Sequence, residues 1–598
     1  MLVKKKWSSL FALLVIVSLL LSACATPTAE VIEKVVTQVV TQVVKETVKE
    51  TVIIEGTPQV VEKEITKVVE VEKVITATPE PITVQKGGTV IEASFSDAEN
   101  LNPVLWTDNV SSKVGSMLYN SLVDIDPDNL NPIPDLATSW DISDDSLTFT
   151  FHLRDDVTWH DGAPFTANDV KFTYEAMLNQ DINSIRRAGL VPILTPEQIV
   201  VLDDYTIEFQ LSQVDAAFLT TRAIYGIIPQ HILGELTPEE FNAAEFNTTS
   251  PIGTGPFIFR EWVKADHIAV VRNPNYFDGA PNIDFWYLKV LEDAIVEFAQ
   301  LQTGEVDYSD AVTSSVWEEA LAQEHLVCET FPQFGFTFYI YQMDAEKSPL
   351  FLDVRTRQAL LYAMDREAMV ESIIFGLGEV AKTVMPPISW AYNPDNEPTY
   401  SYDVEKAKEL LDEAGWKDED GDGIREAHGV IGVEDGTPFS FEIHTNAGNT
   451  EREQVIVAFQ QFWAKVGVEA QPTTVDFPTL LAMLTETYEF DMIVVGFGWG
   501  VDPDQKTMWH TDSYGGGFNM NTYSNARMDE ILDAALLTTD QEKRKEYYYE
   551  MQAILAQDVP APILYFKDGL GCHNKRLHEI YINDIDNYLN AQEWWVER

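Results

Sequence analysis

The chain has 598 residues, too many for one ordinary core, and 45% of them are hydrophobic, enough for several lobes to bury interiors of their own. Its 96 acidic against 40 basic residues leave a formal net charge of −56. That excludes a nucleic-acid partner, whose phosphates demand Lys and Arg, and disfavours lying flat on an anionic lipid surface.

The first predicted element is a short N-terminal leader. Lys4, Lys5 and Lys6 form a basic start, Leu10 to Leu21 an apolar run, and small residues lead to Cys24. The run is too short for a membrane span and has the layout of a secretory signal over residues 1–23. Leu21-Ser22-Ala23-Cys24 resembles the lipobox of bacterial lipoproteins. That resemblance implies cleavage before Cys24, acyl chains on the new terminus, and an extracytoplasmic protein anchored to the cell membrane, at the cell surface or in a periplasm. Buried acyl chains hold at about 0.8 kcal/mol per CH₂, so more than one gives lasting anchorage.

Residues 24–86 read as a stalk. Val, Thr, Glu and Lys dominate, as in VVTQVVTQVVKETVKETV, and Gly56-Thr57-Pro58 breaks the tract. Val35, Val39 and Val43 recur near a helical stripe, yet Val and Thr also favour strands. As coil, about 60 residues reach roughly 45 Å, and as helix roughly 90 Å. A short coiled coil is the rival expectation.

A globular body begins near Gly87-Gly88-Thr89. Val90 to Ala93 reads as a strand and Val114 to Leu122 as a helix. Leu147 to Leu153 alternates as a half-buried strand. Asp161-Gly162 gives a turn, and Thr166-Ala167-Asn168-Asp169 caps a helix through Tyr174. Tyr205 to Leu211 is another strand. Helices over 405–414 and 453–466 end at Gly415 and Gly467. Interleaved strands and helices predict α/β lobes. Cys328 and Cys572 can pair or stay free. No CxxC, HExxH, GxSxG or Walker loop occurs.

Several stretches resemble family 5 extracellular solute-binding proteins, the dipeptide, oligopeptide and nickel receptors of ABC importers. They are PDLATSW (134–140), FHLRDDVTWHDGAPFTANDVKFTYEA (151–176), GTGPF (253–257), RNPNYFDGAPNID (272–284), RTRQALLYAMDREAMV (355–370) and YDVEKAKELLDEAGW (402–416). The resemblance implies a periplasmic-binding-protein-like α/β fold of type II, with two large lobes, an inserted subdomain and a ligand cleft between the lobes. By that pattern the first lobe takes 87–125, 199–285 and 557–598, the insert 126–198 and the second lobe 286–556.

Such a receptor closes on a ligand because only the closed state offers both halves of the site. Peptide receptors of this family meet the ligand's ammonium with an aspartate just after a Gly-Trp pair. In FGWGVDPDQ (497–505) one register makes that residue Asp502, while another places the anchor near Gly500 and leaves Asp502 in an Asp-Pro-Asp turn. Trp499, Trp390, Tyr119 and Phe336 are cleft candidates, with core packing the alternative for each. Asn120 and Gly253, Thr254 and Gly255 offer hydrogen bonds to a peptide main chain, or simply a tight turn. Trp159, His160 and Asp161 read as a turn of the insert. Asp418, Asp420 and Asp422, with Glu426 replacing the absent twelfth-position acid, resemble the opening of a calcium loop. A structural calcium ion there, or a solvated acidic turn, are the two readings.

The leading expectation is a monomeric, non-enzymatic receptor for a peptide or similar small solute, working with ABC permease subunits and needing no catalytic cofactor. An oligosaccharide receptor on the same fold is the alternative. Nickel uptake lacks a tight His cluster, and an exported hydrolase lacks a nucleophile–base pattern. A surface-layer or adhesion role rests on the stalk alone.

Overall fold

A computed structural model describes residues 34–54, 57–77, 84–515 and 517–598. Cys24 and the leader lie outside the described residues. The chain divides into two units, Met1–Val84 and Gln85–Arg598.

In the first unit, strands Lys34–Ile54 and Thr57–Ala77 pair antiparallel in unbroken register, from Lys34 opposite Ala77 to Ile54 opposite Thr57. Over the described residues 34–54 and 57–77 this tract is therefore a β-hairpin, not a coil, helix or coiled coil. The Val/Thr strand preference outweighs the four-residue valine spacing. At about 3.4 Å per residue each strand is roughly 70 Å long.

Among the described residues the second unit has three larger sheets and three of only two strands. The first has seven strands in the spatial order Phe257–Val263, His267–Arg272, Phe285–Val290, Thr89–Ser94, Tyr308–Ser309, Gly569–Asn574 and Leu326–Phe331. The second has six, in the order Gly378–Val380, Ile563–Lys567, Gly335–Tyr341, Met492–Gly498, Ser440–Asn446 and Glu469–Val475. Ala137–Ile142, Thr148–Leu153, Thr206–Gln210 and Ile199–Asp203 form a smaller inserted sheet. The boundaries drawn from sequence shift accordingly. The first lobe keeps the chain to Phe331, the insert's sheet extends to Gln210, and Ile563–Lys567 belongs to the second lobe.

The central strand of the second lobe shows why its sequence, GFTFYIY, is almost wholly apolar. Phe336, Phe338 and Ile340 enter one core, and Tyr339 and Tyr341 the core on the other face. A strand covered on both sides needs no polar alternation. The main-sheet crossings are two adjacent connectors, 332–334 and Asp568. Leu326–Phe331 pairs with Gly569–Asn574 on one side, and Gly335–Tyr341 with Ile563–Lys567 on the other. This two-stranded ribbon is the natural hinge. Cys328 and Cys572 are register partners within it and form a disulfide.

Local capping follows the sequence closely. Thr166 and Asp169 form a reciprocal capping box at Ala167–Leu178, and Gly415 ends Val404–Ala414 in the left-handed region at φ 102°. The helix expected over 114–122 is instead Asn109–Leu118, because Asp108 caps its start and Tyr119 is extended. That change puts Tyr119 and Asn120 just beyond a helix end.

Candidate functional site

A cavity of about 360 Å³ lies along the first lobe, with Val501 of the second lobe contributing to its wall. Trp106, Tyr276 and Phe277 supply aromatic lining, and Asp124, Asp135 and Asp586 supply carboxylates. Three segments distant in sequence meet here: the short strand Val123–Ile125, the turn before Ala137, and the chain after the last long strand.

The polar wall is organised around Asn120. Its Nδ2 donates to Asp135 Oδ1 at 2.9 Å and to Tyr276 Oη at 3.1 Å, and its Oδ1 accepts from Thr254 Oγ1 at 3.1 Å. Ser121 N–H donates to the other Asp135 oxygen at 2.8 Å. Asp135 is thus fully engaged. Asp124 accepts only from Ile125 N–H, at 2.7 Å, and Asp586 only from Tyr588 N–H, at 2.7 Å, so one oxygen of each has no donor among the described residues. Burial, and then the charge of Asp124, raise the Asp586 and Asp135 carboxyls; burial raises Asp124.

Behind this wall Gly253 and Gly255 pack against the end of the 109–118 helix. A Cβ on Gly253 would lie 1.8 Å from the Leu118 carbonyl oxygen, so close backbone approach explains the glycine. His160 braces the pair: its Nδ1 accepts from Gly253 N–H at 3.1 Å and its Nε2 donates to the Gly255 carbonyl at 3.1 Å. Accepting at Nδ1 requires the neutral ring, and burial lowers the imidazole to about 4.

On the second lobe, Phe336, Phe497, Trp499 and Phe518 form an aromatic ladder. Trp499 lies 5.3 Å from Phe336 and 5.5 Å from Phe497, centroid to centroid. Its Nε1 donates to the Val384 carbonyl at 3.1 Å, which fixes the indole. Phe336 is buried beneath Trp499, whose indole is half-buried. The lobes touch where Ala216 N–H donates to the Leu536 carbonyl at 3.3 Å, and the insert touches the second lobe where Ser146 meets Thr539 at 3.2 Å.

The family model for bacterial extracellular solute-binding proteins, family 5 (middle region), matches residues 131–519. The oligopeptide-binding protein AppA of Bacillus subtilis is 32% identical over 517 residues, covering 86% of this chain and 92% of its own length. The chain belongs to family 5 of the extracellular solute-binding proteins.

As a family 5 protein it is an extracytoplasmic receptor rather than an enzyme, with the type II binding-protein architecture of two lobes. Its fold matches AppA in complex with a nonapeptide at a TM-score of 0.72 and 31% identity, covering 86% of this chain and all of that one. It also matches NikZ of Campylobacter jejuni in complex with Ni(L-His) at 0.70 and 28%, covering 85% and 99%. Heme-binding protein A of Haemophilus influenzae is 30% identical over 77% of this chain and 83% of its own.

Within this family 5 cleft the predicted residues divide. Tyr119, Asn120 and the Gly253–Gly255 segment fall on or behind the first-lobe wall, and Trp499 and Phe336 in the second-lobe ladder. Asp502 is not free to anchor an ammonium. Arg544 takes both its oxygens, at 2.6 and 2.8 Å, and Arg544 also donates to Tyr548 Oη at 2.9 Å. Both charged side chains are 5% exposed. Trp390 packs over the same group, 5.5 Å from the Arg544 guanidinium and 5.9 Å from the Tyr548 ring. Within the Asp-Pro-Asp segment Asp502 also accepts from Asp504 N–H at 3.0 Å. Asp124 and Asp586 were missed because nothing in their local sequence signals that they converge. Away from the cleft, Asp418, Asp420, Asp422 and Glu426 each bring a carboxylate oxygen within 4.8 Å of the others.

Proposed function

We propose that this family 5 protein is a lipid-anchored receptor that takes a peptide into the cleft between its lobes and passes it, unaltered, to the membrane subunits of an ABC importer. The cavity between the first-lobe wall and Val501 carries the reading. It combines aromatic faces for apolar side chains with fixed polar groups for a main chain, the mixture a peptide presents. Likeness to AppA, whose structure holds a nonapeptide, supports the same ligand class. The oligosaccharide alternative gains no support from these relatives. Thermal melting with peptide and oligosaccharide pools tests the choice. Peptides should raise the midpoint, since a ligand at 100 times its Kd adds about 2.7 kcal/mol, and mass spectrometry should recover them intact. A shift with sugars alone, or cleaved peptides, would overturn it.

Anchorage rests on Cys24 at the end of the signal-like leader. Radiolabelled palmitate should enter the wild-type chain and not Cys24→Ser, which should leave the membrane fraction.

We further propose that Asp418, Asp420, Asp422 and Glu426 hold a structural calcium ion. The support is an all-oxygen carboxylate set on one loop, the donor chemistry a hard cation takes. Terbium luminescence displaced by calcium, and lost in Asp420→Asn, checks this.

A further inference from the structure

Resting on the cleft-receptor reading above, we propose that the first-lobe wall makes this receptor selective for cationic cargo, with Asp124 and Asp586 receiving an ammonium or guanidinium between them. The charged groups lining the cavity are Asp124, Asp135, Asp278, Asp586 and Arg154. Arg154 is held by Asp156 in a two-bonded pair at 2.9 and 2.9 Å, and its charge acts on Asp135 rather than on Asp124 or Asp586. Asp135 has a donor on each oxygen, from Asn120 and Ser121, and Asp278, which accepts from Gln592 at 3.1 Å through one oxygen, is exposed to solvent. That leaves Asp124 and Asp586, each with one oxygen lacking a protein donor.

Two half-buried carboxylates, each with an oxygen that no protein donor meets, favour a positive group beside them. Their neighbours supply none. Tyr276 and Tyr588 stand beside them, but Tyr588 Oη donates to Glu92 at 2.7 Å, and Lys113 is taken by Asp310 at 2.5 Å and Glu92 at 3.4 Å. Tyr276 Oη is met by Asn120. The second lobe adds only apolar Val501 to this cavity, so the cation must arrive with the ligand. Asp502, which one of the two sequence registers offers as an anchor, is sealed by Arg544.

A proton consequence follows. Burial raises both carboxyls, and the charge of Asp124 raises Asp586 further, so Asp586 holds its proton more tightly than an ordinary carboxyl. An arriving ammonium makes both carboxylates ionise, so the proton leaves to buffer as the cation binds.

Isothermal titration calorimetry on the intact body, in phosphate and in Tris, tests this with Ala-Lys-Ala, Ala-Gln-Ala and Ala-Glu-Ala, each with a free and an acetylated amino terminus, and with putrescine. The expected result is that removing the last positive charge weakens binding by about tenfold to a hundredfold. Binding heats should also differ between buffers by a fractional proton released, and Asp124→Asn or Asp586→Asn should abolish both effects. Circular dichroism confirms that the variants fold; if one does not, the other and the wild-type buffer comparison still decide. Equal affinity for neutral, acidic and cationic peptides, with unchanged Asn variants, would overturn this inference and leave the receptor reading standing. If no peptide binds, the peptide reading falls, and putrescine decides this one alone: saturable binding lost in Asp586→Asn supports it, and no binding overturns it.

Discussion

Replacing Asp502 by Asn separates a structural carboxylate from a ligand anchor. In the fold Asp502 gives Arg544 two charge-assisted bonds, at 2.6 and 2.8 Å, and both side chains are 5% exposed. Opposite charges about 4 Å apart attract by about 4 kcal/mol at an effective dielectric of about 20. Asn keeps one acceptor but turns its NH₂ toward the guanidinium, leaving a buried cation half paired. Breaking such a pair from one side costs about 3–5 kcal/mol. Over a body of about 500 residues the unfolding entropy is about 1 kcal/mol per kelvin, so the midpoint should fall by about 4 °C if the body melts cooperatively. Scanning calorimetry measures the shift, and calorimetric titration measures peptide affinity of the folded variant, which should stay within threefold of wild type. Arg544→Met should be similarly destabilising, and the double variant should lose about 2–3 kcal/mol less than the sum. A wild-type melting curve with peptide affinity abolished would refute this reasoning and restore Asp502 as the anchor.

Other expectations are more local. Gly253→Ala should cost about 3 kcal/mol or more, because its Cβ meets the Leu118 carbonyl oxygen at 1.8 Å, whereas Gly500→Ala, with nothing within 4 Å, should stay within about 0.5 kcal/mol; urea midpoints compare them. His160 binds its proton less tightly folded, about 4, than unfolded, about 6.5. Its contribution is therefore full above pH 6.5 and lost as pH falls toward 4, worth up to about 3 kcal/mol, and His160→Gln should flatten that part of the stability–pH curve. Replacing Cys328 and Cys572 together by Ser reopens a sequence separation of 244 residues and should cost at most about 5 kcal/mol by chain entropy, read from denaturant midpoints; a loss below 1 kcal/mol would mean the ribbon holds its register without the bond.

Local chemistry was legible wherever neighbours in sequence decide it. The Thr166/Asp169 capping box, the Gly415 stop and the alternating strands over 147–153 and 205–211 each depend on a handful of adjacent residues, and they stand as read. The stalk was harder, because its valines suit two periodicities and only strand pairing chooses between them. Which lobe owns a strand was not legible: Tyr308–Ser309 and Leu326–Phe331 join the first sheet through partners more than two hundred residues away in sequence. The same holds for the cleft. Sequence named Asn120, Trp499 and Asp502 from their context, but only the folded chain pairs Asp502 with Arg544 and sets Asp586 against Asp124. Composition, capping and family are written along the chain. Which carboxylate is neutralised and which waits for a partner depends on what lies across a gap, and distance through space is not encoded in distance along the backbone.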